Sequence, residues 1–354
     1  MIPAPAPDQA VPFHYGSPAR EGREFEAGRA VVELASEVVT ITGADRLTWL
    51  HSITSQGFAG LTAGISTEAL IMSPHGHVEQ AFGAVDDGAA TWLITEPERG
   101  AGLVSYLDSM RFASRVEIAR REDVRVVAVN GAVHPFAAQA LVIWHDPWPV
   151  TTGTTYGPAD SVHPATESWN VSLAVVPKDL DVEAERAGMW AYEAARIAAW
   201  RPRLAREVDA RTLPHELDWL RAAVHMDKGC YRGQETVARV VNLGRPPRRL
   251  VAIHLDGSTD DLPLPGAEIR AGGKAVGRVT SAARHFELGP IALGVVKRNA
   301  ATAGAAEVDG GFGPIPAALE EIVNAAGVSA ATPAQRPGAG LRGSQAATLR
   351  RPGR

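Results

Sequence analysis

The chain has 354 residues, 45% hydrophobic and 21% charged, with a formal net charge of -5 and one cysteine, Cys230. That length supports two or three packed units, and the acid excess argues against the broad basic surface of a nucleic-acid binder. No apolar run reaches the roughly 18 residues of a membrane span, and one thiol cannot close an internal disulfide or hold zinc or an iron–sulfur cluster alone.

Residues 1–13 read as a disordered lead. Their Pro/Ala-rich start lacks the basic and apolar regions of a signal peptide, so a reducing, cytoplasmic setting is expected. Val38 to Thr42 is a β-branched strand, and Asp45 to Ile53 a helix turning Leu47 and Leu50 inward. Glu68–Ser73 and His77–Val85 are strands about the turn Pro74-His75-Gly76, and Asp86-Asp87-Gly88 turns the chain into strand Ala90–Thr95. Pro97 opens a helix to about Met110, and Arg115–Ala119 returns as a strand. Residues 14–120 therefore read as an N-terminal α+β domain.

Val124–Val129, Leu141–Trp144 and Val171–Val176 are further strands, with a long surface loop expected over Asp146–Trp169. The helix expected over Val182–Trp200 carries Trp190, Ala194 and Ile197 on one stripe, Trp190 being either core or a stacking platform. Residues 121–245 make a second α+β domain. From 246 to 326, short strands at 250–255, 267–270, 274–281 and 291–296 are punctuated by Gly and Pro, which predicts a small β-barrel. Residues 327–354 read as a disordered tail.

The chemistry concentrates in His225-Met226-Asp227-Lys228-Gly229-Cys230-Tyr231-Arg232-Gly233-Gln234-Glu235. Gly229 and Gly233 bracket the thiol, and glycine permits positive φ and close backbone approach. Lys228 and Arg232 lie within two residues of the sulfur, where positive charge favours a thiolate. Gln234 and Glu235 can cap a helix beginning at Gly233. By its residues alone, Cys230 reads either as an activated thiol or as a small buried hydrophobe.

Lys228-Gly229-Cys230-Tyr231-Arg232-Gly233-Gln234-Glu235, with Arg239 beyond, resembles the K-G-C-Y-x-G-Q-E-x-x-x-R signature of the YgfZ family at every fixed position. Thr212 to Glu216, Val39 to Leu50 and the hairpin Ser73 to His77 resemble further segments of that family, over roughly residues 14–300. The resemblance implies a three-domain ring of the glycine cleavage T-protein type, with a central folate cavity and a C-terminal β-barrel. It implies binding of tetrahydrofolate or a derivative. It also implies an accessory role in iron–sulfur cluster assembly or repair, with client iron–sulfur enzymes or assembly factors as partners and neither nucleic acid nor membrane bound directly. Cys230 inherits the family's functional thiol, with Lys228 beside it. Gly229, Tyr231, Gly233, Gln234, Glu235 and Arg239 are motif positions.

Two departures stand out. Aminomethyltransferases of this fold carry an Asp-Asp pair after the hairpin, where Glu79 and Gln80 stand here; a Glu displaces the carboxylate by more than about 1 Å, enough to cost on the order of a hundredfold in rate. The family's R-x-E-x-G-x-P segment on the central helix is Arg196-Ile197-Ala198-Ala199-Trp200-Arg201-Pro202, so Ala198 replaces a pterin-contacting Glu and Trp200 a Gly. Arg196, Trp200 and Glu79 remain the cofactor-contact candidates. The alternatives are a tetrahydrofolate-dependent aminomethyltransferase and a non-catalytic folate-dependent scaffold or sensor.

Three weaker readings complete the sequence. His75 and His77 lack an evident third metal ligand, and no metal site is expected. Arg239, Arg245, Arg248 and Arg249 form a basic cluster, either solvated or carboxylate-binding. Asp218, Trp219 and His225 precede the motif and are candidates to line the same cavity.

Overall fold

The computed structural model describes residues 2–131, 136–258 and 260–334. Its first sheet is antiparallel, in the order Ser66–Met72, Val78–Asp86, Ala90–Thr95, Glu37–Thr42, Glu117–Arg121. Strand alternation splits this sheet's side chains between two faces. Val39 and Ile41 pack on helices Arg46–Ile53 and Gly100–Ser109, whereas Val38, Leu70 and Val85 join a different core. That second core faces another five-stranded sheet, ordered Val142–His145, Val171–Pro177, Val124–Asn130, Ala30–Leu34, Glu185–Ala187. Where the two sheets meet, Gly83 leaves room for Trp144: a Cβ on Gly83 would lie 2.5 Å from the indole. The Trp144 Nε1–H donates to Thr67 O across the seam at 2.7 Å. Arg248–Leu255, Gly289–Lys297, Lys274–His285, Glu268–Ala271, Ala306–Asp309 and Pro314–Glu321 close a six-stranded barrel.

The α+β class and the C-terminal barrel are as expected from the sequence. Several local expectations are corrected. Residues 2–13 are not a disordered lead: Ile2–Pro3 pairs with Pro12–His14, and Ala4, Asp8 and Val11 are buried. Ala30–Leu34 pairs with Val124–Asn130, so this part of the expected N-terminal domain belongs to the second sheet.

The long helix is only Met189–Ala198, because Gly188 sits against Phe13, where a Cβ would come 2.2 Å from the Phe13 carbonyl oxygen. Ahead of it, Glu185–Ala187 is a strand parallel to Ala30–Leu34. Trp190 is half-buried, donating to Arg284 O at 2.8 Å, and serves as packing. The helix expected from Pro97 starts at Gly100.

Asp146–Trp169 is a surface loop only in part: residues 150–152 and 159–162 are exposed, but the segment is anchored in the core. Trp148, Tyr156 and Trp169 are fully buried, and the two indole N–H groups donate to Ala199 O and Asp146 Oδ2. The last two barrel strands fall outside the expected set. Of the expected tail, residues 327–334 hold to the body through Gly327 O with Arg245 N at 2.9 Å and Ala331 N with Thr154 Oγ1 at 3.4 Å. Residues 335–354 lie outside the described residues. No described helix is long and apolar enough to cross a membrane.

Candidate functional site

The cysteine loop runs into helix Gln234–Leu243, with Gly233 as its N-cap at φ 85°. Gly233 is required twice, by that left-handed backbone and by its neighbours. A Cβ there would meet Ser73 O at 2.7 Å and Gly76 Cα at 3.0 Å. Gly76, at φ 77°, is matched in turn to Thr236, whose Cβ lies 2.9 Å from where a Gly76 side chain would begin. The hairpin Ser73–Gly76 and the cysteine motif are therefore one docked unit. Gln234 Nε2 closes the loop by donating to Lys228 O at 3.3 Å.

Cys230 is exposed, which removes the buried-hydrophobe reading. Lys228 is turned inward rather than held free beside the thiol. Its ammonium donates to the carbonyls of His51, of Thr54 at 2.5 Å and of Gln56 at 3.2 Å. These lie at and just past the C-terminus of helix Arg46–Ile53, where a cation is favoured. Burial lowers the Lys228 pKa to about 8. Tyr231 is buried under that ammonium, 5.1 Å from ring centroid to Nζ, and burial pushes its hydroxyl up to about 12. Arg232 pairs with Glu79 at 2.9 Å and lies over the Tyr106 ring. Gly229 has open space around it, and Glu235 and Arg239 are exposed on the helix.

A second site lies between the two sheets, in a cavity enclosing about 620 Å³ of space, its mouth included. Phe82, Trp144, Tyr192 and Trp219 give it aromatic walls, and Glu68, Asp146 and Arg201 give it charge. Arg201 donates to Glu68 at 2.8 Å and to Asp146 at 2.9 Å, and Trp219 Nε1 donates to Glu68 at 3.0 Å. Burial raises the Glu68 pKa despite the neighbouring guanidinium. For Arg201, burial acts downward, but Asp146 and Glu68 hold the pKa above its usual value. Glu68 Oε2 and Arg201 Nη1 are both buried without a hydrogen-bond partner. Unsatisfied buried charge is costly, so this pair suits a ligand with complementary donors and acceptors.

The two sites are linked through Gln56. Its Nε2 donates to Glu68 O at 3.2 Å and Ala222 O at 2.9 Å, while its backbone carbonyl accepts from the Lys228 ammonium. Cys230 itself is not among the cavity's walls.

The cofactor candidates read from sequence fall elsewhere. Arg196 is fully buried in a fixed network, bidentate to Glu193 at 2.6 and 2.7 Å and 3.3 Å from Glu207. Trp200 ends the central helix in the left-handed conformation, φ 56°. Trp200 N donates to Ile197 O and Arg201 N to Arg196 O, a helix termination that ordinarily selects glycine. The buried Trp200 ring packs edge-on to His163 at 5.2 Å, which offsets the backbone strain. Neither residue lines the cavity, and Glu79 is held outside it by Arg232.

Of the residues before the motif, only Trp219 lines the cavity. Asp218 is buried on Thr155, Tyr156 N and Arg221, and His225 is exposed. The basic cluster divides as well. Arg248 pairs with Asp209 and Glu216, and Arg249 is buried on the carbonyls of Arg298, Ala300 and Val323 with Glu321 at 2.9 Å. Asp86 and Asp87 are turn residues, accepting from Arg46 and Thr91 and from Ala90 N and Trp92. Among the described residues no cluster of three His, Cys, Asp or Glu suits a metal.

Sequence reasoning missed Glu68, Asp146 and Arg201. The available signal was a carboxylate directly before the apolar run Ala69-Leu70-Ile71-Met72 of a strand and an arginine beside a proline at a helix end.

Three comparisons bear on this geometry. Residues 248–319 match the glycine cleavage T-protein C-terminal barrel domain. The crystal structure of glycine cleavage system aminomethyltransferase T from Bartonella henselae superposes with a TM-score of 0.69, covering 88% of this chain and 91% of that one at 14% identity. The architecture is thus the T-protein fold, with the C-terminal barrel that this fold carries. A chloroplastic protein of Arabidopsis thaliana, named a "putative transferase", is 26% identical over 304 residues, 79% of this chain and 68% of that protein.

Proposed function

We propose that this chain is a folate-binding accessory protein of the YgfZ type, acting in iron–sulfur cluster assembly or repair through the thiol of Cys230. The observation that carries the folate part is an aromatic cavity lined by Glu68 and Arg201, each of which keeps one buried polar atom, Oε2 and Nη1, without a hydrogen-bond partner. A reduced pterin has amino and ring N–H donors for a carboxylate, a ring oxygen for a guanidinium, and a planar face for aromatic walls. The bound cofactor would supply one-carbon carrier chemistry. The protein's part is to hold the ring, exclude water and keep the Glu68 carboxyl available.

The exposed thiol supports a role toward a macromolecule rather than toward a ligand inside the cavity. Its loop is fixed by Lys228 on one side and by the Gly233–Gly76 contact on the other, so Cys230 is presented on a rigid edge. The test is genetic and direct. A strain lacking this chain should lose iron–sulfur enzyme activity under oxidative stress and regain it with the wild-type copy. A Cys230→Ala copy should fail to restore it; full restoration by that copy would refute the thiol role.

Folate-dependent aminomethyl transfer is a second reading, favoured by one observation: burial raises the Glu68 carboxyl above its ordinary value, the direction a general acid requires. It predicts methylenetetrahydrofolate formation from an aminomethylated lipoyl carrier by the purified protein. The accessory reading predicts none.

A further inference from the structure

The central cavity has a neighbour. A groove enclosing about 960 Å³ of space, its mouth included, lies between the N-terminal segment, helix Met189–Ala198 and the barrel, with Phe13, Trp190 and Leu264 among its apolar walls. Met189 lines both spaces. Between them stands an ion cluster: Arg203 lines the cavity, while Asp8, Glu193 and Arg206 line the groove. Asp8 is the remote member. Its carboxylate is fully buried and bidentate on Arg203 at 2.9 and 3.2 Å, and it also accepts from Arg206 at 3.2 Å. Yet it belongs to a short strap whose neighbouring residues Pro5, Ala6, Gln9 and Ala10 are exposed and whose ladder to Pro12–His14 is only two pairs long.

Arg203 does not depend on Asp8. Glu96 at 2.6 Å and Glu193 at 2.7 Å already hold it. Arg206, in addition, has a buried Nε that makes no hydrogen bond and reaches only an ion-pair distance of 3.9 Å to Glu193. The two guanidiniums thus make a carboxylate-binding fork whose present occupant comes from a strap.

We propose that Arg203 and Arg206 form a carboxylate subsite at the boundary of the central cavity, and that Asp8 fills it until the carboxylate tail of the cavity's ligand displaces the strap. The inference rests on the folate reading of that cavity. Lifting Asp8 frees the fork, and the groove gives a tail longer than the cavity a way out. The strap lowers apparent affinity by the fraction of molecules in which it is closed.

The experiment is calorimetry on the full chain and its Asp8→Asn variant. Tetrahydrofolate, which carries a glutamate tail, is compared with tetrahydropterin, which does not. The variant should bind tetrahydrofolate about tenfold tighter, with tetrahydropterin unchanged. Hydrogen exchange on the wild-type chain keeps the proposal open to refutation even if Asp8→Asn misfolds: tetrahydrofolate should speed exchange in residues 5–10 and tetrahydropterin should not. Binding of both ligands with no difference between them in either measurement overturns the strap and leaves the cavity reading intact. Absence of binding by either ligand overturns the cavity reading and the strap with it.

Discussion

Replacing Gly233 by alanine places a methyl group 2.7 Å from Ser73 O and 3.0 Å from Gly76 Cα, at a residue held at φ 85°. The left-handed backbone costs an alanine about 1–2 kcal/mol, and forcing the hairpin apart adds roughly 1–3 kcal/mol. Both obstacles are backbone atoms, so no side-chain rotation relieves them. About 3 kcal/mol is a hundredfold or more in the equilibrium between docked and undocked loop. The assay is hydrogen exchange across residues 226–243, where protection should fall by about that factor. Gly229→Ala is the control, since nothing lies within 4 Å of its missing side chain and its φ is outside the left-handed range. Equal protection in Gly233→Ala and wild type would refute the docking argument, as would an equal loss in both variants.

The other predictions concern charge and exposure. Lys228 has a folded pKa of about 8 against an ordinary 10.5. Between those values the unfolded chain binds a proton that the folded one lacks, so its contribution makes stability rise with pH. Urea titrations from pH 8 to 10.5 should show less of that rise in Lys228→Met, and identical slopes would contradict the assignment. Arg196→Met strips a buried guanidinium from Glu193 and Glu207 and should cost about 3–5 kcal/mol in urea unfolding; a loss below about 1 kcal/mol would deny the network its structural role. A thiol-specific reagent should modify the folded chain at Cys230 as fast as an unfolded control, and protection until denaturation would contradict its exposure.

What the sequence disclosed was local in origin. The glycines around Cys230 marked a bend, and the structure supplies the partner that makes Gly233 and Gly76 necessary to each other. Strand alternation and turn chemistry located the first sheet because each hairpin closes over few residues. The cavity was less legible because it is assembled from distant segments. Glu68 and Arg201 are 133 positions apart, and neither local pattern calls for the other. Asp8 could not be read as buried for the same reason: its Pro/Ala-rich surroundings lack periodicity, and its place is decided by Arg203, 195 positions away. Composition was only half a guide over 146–169, where Pro, Thr and Gly suggested a surface loop and three buried aromatic rings anchor its exposed stretches to the core. At Trp200, a helix end that glycine usually makes was completed by a large aromatic whose burial outweighs the strain.

The central claim is that the buried Glu68–Arg201 pair binds a reduced folate, and calorimetry with tetrahydrofolate on wild type and Glu68→Gln tests it most directly. The variant keeps the side-chain shape but removes the charge from a hydrogen bond of the class that contributes about 1.5–3 kcal/mol. The account predicts one binding site in wild type and a loss of roughly tenfold to a hundredfold in affinity in the variant, with the far-ultraviolet spectrum unchanged. No binding to the wild-type chain, or equal affinity in both proteins, would contradict it.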